Sequence, residues 1–356
     1  MPQKVIVIPG REPEGRIDPI TGSEVIISAA RSLREGKKNP EFAYNGLPER
    51  KENCPFCPGN EDLTTPELIS YRQDGQQQSS WITRGFTNLY PILALEAKGE
   101  QTPENLALGV NEIIIETPLH NGYLSSLSEY AISEALRAIA TRYFSLREDP
   151  RLEWFSIFKN FGKAAGASLE HPHFQIAVKA RIPQKFRGRF GLAQNYFWSK
   201  SSFICCDEIK RHRDLGLVVL ESEHFLTIVP HAARMPYHMR IYPKRHNPSF
   251  AHLLRDNDKA RVDFASILKQ TVFLYKVAVQ GDDFEQYSDP MYNFYIETAP
   301  YRDDHKEGIF HWHVEFLGKT TIEAGYEKHT GEFVNPTYPE EVAAQLREIA
   351  AQYLKR

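Results

Sequence analysis

The feature that most restricts the fold of this chain is an order of elements that occurs twice. In the first half, strand-like pieces around Ile69-Ser70-Tyr71, Trp81-Ile82-Thr83-Arg84 and Asn111-Glu112-Ile113-Ile114-Ile115-Glu116 come first. Leu127, Ala131, Leu136, Ile139 and Tyr143 then recur at helical spacing, which predicts a helix over 125–145. A strand over 152–160, a small-residue run over 162–167 and the segment His171-Pro172-His173-Phe174-Gln175 complete the series. The second half repeats it. Apolar strands at 217–220, 225–229 and 238–242 precede a long helix over 259–280, marked by Phe264, Ile267, Leu268, Val272 and Tyr275. A strand over 292–297 and His311-Trp312-His313-Val314-Glu315 follow. The His-x-His-x-Gln of one half is echoed by His-x-His-x-Glu in the other. We read an internal duplication whose sequences have diverged. It predicts an α+β fold of two fused units, each an antiparallel sheet with a long helix, over 1–190 and 191–356. The join is expected within 182–215, and a last helix over 339–355.

Length and charge bound the function. A chain of 356 residues can bury two cores. A formal net charge of −3 argues against a nucleic-acid backbone binder, while leaving room for a local nucleotide pocket. No apolar run reaches the ~18–20 residues needed to span a bilayer. The opening Met-Pro-Gln-Lys-Val-Ile-Val-Ile-Pro has neither the length nor the cleavage pattern of a signal peptide. With only four cysteines, no disulfide scaffold is expected, and a cytoplasmic location is.

Chemistry concentrates at Ser168-Leu169-Glu170-His171-Pro172-His173-Phe174-Gln175-Ile176. In an extended strand, His171, His173 and Gln175 share one face, with Phe174 and Ile176 behind them in the core. A neutral imidazole attacking phosphorus splits one hard displacement into two easier ones through a phosphoramidate. His173 is the nucleophile in this reading. Ser168, Gln175 and N–H groups of the turn 162–168 would hold phosphate oxygens, and a backbone carbonyl near His171-Pro172 would fix the tautomer. Lys159 and Lys163 are expected at the surface or near the phosphate.

Cys54-Pro55-Phe56-Cys57 runs into the turn Pro58-Gly59-Asn60. Two thiolates three apart suit a metal knuckle, whereas a redox pair needs the motif at a helix start. A pair of core cysteines is the plain alternative. Cys205 and Cys206 are adjacent and poorly spaced to complete the set, so His120 and His171 are the candidates for the remaining ligands of a structural zinc.

These segments together resemble the galactose-1-phosphate uridylyltransferase family of the histidine-triad superfamily. The similarity runs through Cys54-x-x-Cys57, Arg84-Gly85-Phe86-Thr87-Asn88-Leu89-Tyr90-Pro91, Glu116-Thr117-Pro118-Leu119-His120, Asn160, Gly166, Ser168, His171-Pro172-His173-Phe174-Gln175, Ile241-Tyr242-Pro243-Lys244-Arg245-His246, His311-Trp312-His313-Val314-Glu315 and Ala324-Gly325-Tyr326-Glu327. The resemblance implies two histidine-triad-like domains, a homodimer, and ping-pong transfer of a nucleoside monophosphate between a nucleotide sugar and a sugar phosphate. UMP is the favoured group. It implies His173 as nucleophile, Gln175 and Ser168 on phosphate oxygens, and Arg84, Asn88, Asn160 and Gly166 on the nucleotide side. His311 and His313 join the binding residues, and Cys54, Cys57, His120 and His171 match the ligands of one structural zinc per chain. The best-known bacterial members carry a second metal on three histidines and a glutamate. Here the third histidine falls at Glu297 and no glutamate corresponds, so a second metal is not expected. Leu89 stands where those enzymes have aspartate. Both departures resemble the branch that includes ADP-glucose phosphorylase, so that activity, or a dinucleotide phosphorylase or hydrolase using the same histidine, is the alternative.

Overall fold

Ten strands form one continuous sheet, and their order carries the duplication into space. The structure, a computed structural model, describes residues 12–33, 44, 46–73, 81–96, 107–302 and 308–354. Among these, β1 (Glu14–Ile17) and β2 (Glu24–Ile27) form a hairpin ahead of the large sheet. The first half contributes β3 (Glu67–Arg72), β4 (Trp81–Thr87) and β5 (Gly109–Ile115), then helix α1 (Glu129–Arg147), then β6 (Trp154–Phe161) and β7 (His173–Lys179). Helices α2 (Gln184–Lys200) and α3 (Ile204–Asp214) follow. The second half repeats with β8 (Val218–Glu221), β9 (Phe225–Ile228) and β10 (Met239–Pro243), α4 (Phe250–Asp256) and α5 (Asp258–Gln280), then β11 (Tyr292–Glu297) and β12 (His313–Gly318). The chain closes with α6 (Gly325–Thr330), β13 (Phe333–Asn335), which pairs with β2, and α7 (Pro339–Tyr353).

The sheet order is β3-β4-β5-β7-β6-β11-β12-β10-β9-β8. Read inward from each edge, the halves are the same: a three-strand meander, then the last strand inserted beside it, then the strand before that. The halves meet at β6 and β11, antiparallel, with Tyr292 opposite Phe161 and Phe294 opposite Lys159. Every pairing in this sheet is antiparallel, which suits short connections and long helices carried on one face.

That face holds the core. Ile114, Ile157, Phe174, Ile176, Phe294, Val314 and Phe316 from the strands pack with Ile132, Leu136, Ile139 and Tyr143 of α1 and Phe264, Leu268, Val272 and Tyr275 of α5. Helix α1 starts later than its apolar spacing suggests. Ser128 caps it by accepting from the Ala131 N–H at 3.1 Å, so the residues before it turn. Asn257 caps α5 in the same way, accepting from the Ala260 N–H at 3.0 Å. No helix among the described residues is long and apolar enough to cross a membrane.

The stretch between the two repeats, where the join is expected, is helical: it folds into α2 and α3, whose Ile204, Cys205 and Ile209 pack on Leu226, Ile228 and Tyr242. They cover the second half on the sheet face opposite the long helices. One sequence expectation changes: both His-x-His strands start at their second histidine, His173 and His313, not before the first. The segment from Gly162 to Pro172 is a loop folded back on itself. At Gly162 the backbone has φ +88° and a Cβ would collide with the Met291 side chain, so only glycine fits.

Candidate active site

His173 opens β7 on the face away from the long helices, while Phe174 and Ile176 enter the core, as the alternation requires. Its Nδ1 donates to the backbone carbonyl of His171 at 2.8 Å. This fixes the tautomer and leaves the lone pair on Nε2, which makes no hydrogen bond to the described residues. The Phe56 ring stands edge-on to the imidazole at 5.2 Å between centroids and sets its plane. Burial lowers the His173 pKa to about 4, against the raising effect of the His171 carbonyl, with a further lowering from Lys159. The ring is therefore neutral at pH 7 and nucleophilic.

The histidine sits on the floor of a cavity of about 320 Å³. Its walls are apolar, from Pro55, Phe56, Leu63, Phe86, Ile113 and Leu169. Ser168 and Gln175 also line it, and neither side chain bonds to the described residues, so both are free to meet a ligand. Gln175 lies opposite Ile113 in the sheet register, which is why it shares this face. The turn contributes less than its sequence suggests. The N–H groups of Ala165, Gly166 and Ala167 bond to carbonyls inside the turn at 3.0–3.2 Å, and that of Ala164 to Met291 Sδ at 3.3 Å.

The other predicted residues separate. Asn88 lines the cavity, but its amide is engaged: Nδ2 donates to Asn111 Oδ1 at 3.0 Å and Oδ1 accepts from the Tyr90 N–H at 3.0 Å. It shapes the rim that carries Leu89, Tyr90 and Ile92, which are 54%, 83% and 66% exposed. Arg84 is buried behind the wall, donating to Thr64 Oγ1 at 2.8 Å, pairing with Glu67 at 3.3 Å and lying over the Phe86 ring. Asn160 accepts from Asn293 Nδ2 at 2.7 Å, and Gly166 closes the turn at φ +88°. Neither lines the cavity.

His311 and His313 stand in the other half and repeat part of the pattern. His313 Nδ1 lies 3.1 Å from the His311 carbonyl, as His173 does from that of His171. His311 has both ring nitrogens engaged, at 2.9 Å from the Pro243 carbonyl and 3.0 Å from the Asn247 N–H. The crevice that is open around His173 is filled here by α2, α3 and the turn after β1. Asp18 of that turn pairs with Arg240, which together with Arg234 and His238 surrounds the buried Glu315.

Cys54, Cys57, His120 and His171 meet beside the cavity, all buried, with ligand atoms within 4.8 Å of one another. Cys57 Sγ is 3.5 Å from His120 Nδ1 and 3.6 Å from His171 Nδ1, and Cys54 Sγ is 3.8 Å from His171 Nδ1. A tetrahedral ion with bonds of about 2.3 Å to sulfur and 2.0 Å to nitrogen holds its ligand atoms roughly 3.3–3.8 Å apart, so the set fits one metal. The remaining ring nitrogens face outward. His171 Nε2 lies 2.9 Å from the Thr117 carbonyl, and His120 Nε2 lies 3.4 Å from the Glu170 carboxylate. Partners of this kind fix which nitrogen faces a metal. Burial lowers the His171 pKa to about 3, which leaves it neutral as a ligand must be.

Sequence reasoning missed three things. Phe56, between the two cysteines, forms the wall shared by cavity and metal set; its position inside the knuckle was the available signal. Glu170 reaches back to His120, which no local pattern reveals. Lys159, expected at the surface or near the phosphate, is fully buried on the core face of β6, the face away from His173.

The family described as galactose-1-phosphate uridyl transferase, N-terminal domain, matches residues 10–183. An Arabidopsis thaliana protein named ADP-glucose phosphorylase is 30% identical over 351 residues, covering 96% of this chain and 95% of its own. The galactose-1-phosphate uridylyltransferase of Thermotoga maritima is 31% identical over 352 residues, covering 95% of this chain and 99% of its own. Among solved structures, an ADP-glucose phosphorylase from Arabidopsis thaliana with bound ADP-glucose superposes with a TM-score of 0.79 at 30% identity, covering 95% of this chain and 99% of that one.

Proposed function

The chain belongs to the galactose-1-phosphate uridylyltransferase family, and from that premise we propose that it moves a nucleoside monophosphate, UMP by preference, between a nucleotide sugar and a hexose 1-phosphate. As a member of this family it is a nucleotidyltransferase. The observation that carries the reading is the His173 ring. It is held in one tautomer by the His171 carbonyl, is neutral, and has Nε2 unengaged by the described residues on the floor of a nucleotide-sized cavity.

The chemistry runs in two balanced displacements. The Nε2 lone pair attacks the α-phosphorus of the nucleotide sugar. The Pα–O bond to the departing sugar phosphate breaks, and that oxygen keeps the electron pair. The positive charge that appears on the imidazole is stabilised through Nδ1–H against the His171 carbonyl. A phosphate oxygen of the acceptor then attacks the same phosphorus, and the P–N bond breaks with its electrons returning to Nε2. Ser168 and Gln175 offer neutral hydrogen bonds to the non-bridging oxygens. No charged side chain is among the described residues that line the cavity.

Zinc is the metal we assign to Cys54, Cys57, His120 and His171, one per chain, because two thiolates with two imidazoles suit it. Four protein ligands leave no position for a reactive water, so the ion would tie the knuckle, the His120 loop and the segment before β7 together. Four unpaired cysteines support a reducing, cytoplasmic setting. The exposed apolar rim at Leu89, Tyr90 and Ile92 supports a homodimer.

A second reading, phosphorolysis of ADP-glucose, is favoured by the full-length similarity to the Arabidopsis protein of that name and by the apolar Leu89 at the rim. A pocket rejects the wrong base strongly only when it leaves buried polar groups unpaired. Here Asn88 is already satisfied within the chain. The test is a matrix of UDP-glucose and ADP-glucose against galactose 1-phosphate and inorganic phosphate, with acid-labile label on the protein as a second readout. Dominant UDP-glucose turnover with galactose 1-phosphate supports the first reading. Dominant ADP-glucose turnover with phosphate replaces it with the second. Absence of label from both donors would defeat the covalent histidine.

A further inference from the structure

Behind the nucleophile, on the core face of the sheet, lies an ion pair that the reaction as described does not use. Lys159 and Glu116 are both completely buried, and Lys159 Nζ bonds to Glu116 Oε1. Glu116 Oε2 has no hydrogen-bond partner among the described residues. Such a pair is a poor source of stability. Taking two charges out of water costs about what their attraction returns, and apolar replacements of similar volume are often as stable or more so. An unpaired carboxylate oxygen makes this pair worse than most. Its position is what distinguishes it.

The sheet order here is β5-β7-β6, so the strand carrying His173 lies between the strands that supply the two charges. Glu116 directly follows β5, whose last residue, Ile115, is opposite His173. Lys159 follows Phe158, which is opposite Gln175, and so stands level with Phe174. Its ammonium lies 5.3 Å from the Phe174 ring centroid and 5.8 Å from that of Phe161. The pair therefore crosses β7 at its first two residues, from one neighbouring strand to the other, with the Phe174 ring against the cation. On the opposite face of the same two residues stands the nucleophile.

We propose that the Glu116–Lys159 pair is a positioning device for His173, a strap across the start of β7 that holds the imidazole where it can attack. The coupling runs through two direct hydrogen bonds. Glu116 fixes the end of β5, and the next residue, Thr117, presents the carbonyl that bonds His171 Nε2 at 2.9 Å. The His171 carbonyl in turn takes the His173 Nδ1–H at 2.8 Å. Freeing the end of β5 lets both carbonyls drift, and with them the direction of the Nε2 lone pair. Nucleophilic displacement is sensitive to this, since a misplacement of about 1 Å can cost roughly 10²-fold in rate. Both residues are positioning residues, as neither touches the cavity.

The inference rests on the proposed reaction only in requiring His173 as the nucleophile. The experiment uses the full-length, metal-loaded protein and whichever nucleotide sugar the parent turns over. The double variant Lys159→Met with Glu116→Leu removes both charges and leaves neither one unpaired. It should melt at or above the parent temperature, bind substrate with KM within about twofold, and lose roughly 30–100-fold in kcat and in the rate of label transfer to the protein. Lys159→Arg, which keeps the cation, should recover kcat to within about fivefold of the parent. A double variant that is folded and has kcat within twofold of the parent overturns the proposal. So does one that melts well below the parent or fails to fold, because the pair then serves stability. A parent that takes no label from any donor is a different result: it removes the covalent-histidine reading itself.

Discussion

Replacing Phe56 by alanine should damage stability and nucleotide binding together, because one ring serves two structures. Its centroid is 5.2 Å from that of His173, 6.1 Å from His171 and 5.6 Å from Phe86, in edge-on arrangements at 76°, 80° and 63°. The side chain is buried and also lines the cavity. Truncating a buried phenylalanine to alanine costs about 3–5 kcal/mol. Since one side of this ring borders a cavity that can refill with water, the lower end, about 3 kcal/mol, applies. Unfolding entropy near the melting point is about 2.1 cal/mol/K per residue, so a chain of 356 residues loses about 1.3 °C per kcal/mol, or roughly 4 °C here. The apolar wall offered to a base is worth about 1–3 kcal/mol by analogy with aromatic stacking platforms, which raises KM for the nucleotide sugar roughly 5–150-fold. Edge-to-face support of the His173 ring adds up to about tenfold in kcat. Phe56→Leu keeps most of the volume and should lose less than about 2 °C while still raising KM. Thermal melts and steady-state kinetics on both variants check this. A drop near 4 °C with KM within twofold of the parent would refute the base-wall reasoning and leave Phe56 as packing for the metal knuckle alone.

His173→Ala should abolish both turnover and acid-labile label while melting within a few degrees of the parent, since the metal ligands and the core stay in place; retained label would mean another nucleophile. Metal analysis should find about one zinc per chain, and Cys54→Ser should lower both that ratio and the melting temperature, because structural zinc binding is coupled to folding; a metal-free protein of undiminished stability would contradict the site. Asp18 supplies a pH test. Burial raises its carboxyl, but the Arg240 guanidinium outweighs that and brings the pKa down to about 2 from the usual 3.8. The folded value lies below the unfolded one, so the stabilisation is complete above pH ~4 and is lost as pH falls through about 2, and it amounts to roughly 2.5 kcal/mol at neutral pH. Asp18→Asn should therefore be less stable than the parent by about that amount in urea titrations at pH 7, with a gap that narrows from pH 4 to pH 3. A gap constant across this range would show that the charge of Asp18 contributes nothing.

What could be read along the chain was what local periodicity carries. Alternation of apolar residues located most strands to within two or three residues, and the apolar spacings of α1, α5 and α7 located those helices. The repeated order of elements foretold a duplicated sheet, and the alternation of His173 and Gln175 foretold that both face the same side, where both line the cavity. A nearby backbone carbonyl as the tautomer lock was also legible, because a residue two positions away is within reach whatever the rest of the fold does. The helices over 184–200 and 204–214 were not legible as such, since Gly188, Gly191 and a spread of charges blur their apolar faces. Tertiary structure alone brought Cys57 against His120 and His171, residues separated by 63 and 114 positions. Nothing local encodes which distant histidines complete a metal set. It also decided that one half keeps an open crevice while α2, α3 and Asp18 fill the other, although the two His-x-His motifs look alike in sequence. Lys159 shows where the two kinds of information meet. Its parity with Phe155, Ile157 and Phe161 on β6 is a signal for the core face, which the expectation of a surface or phosphate-side lysine passed over. That a buried charge could be tolerated there depended on Glu116 arriving from another strand, across the one between them, because an ion is stable away from water only when a counter-ion is folded against it.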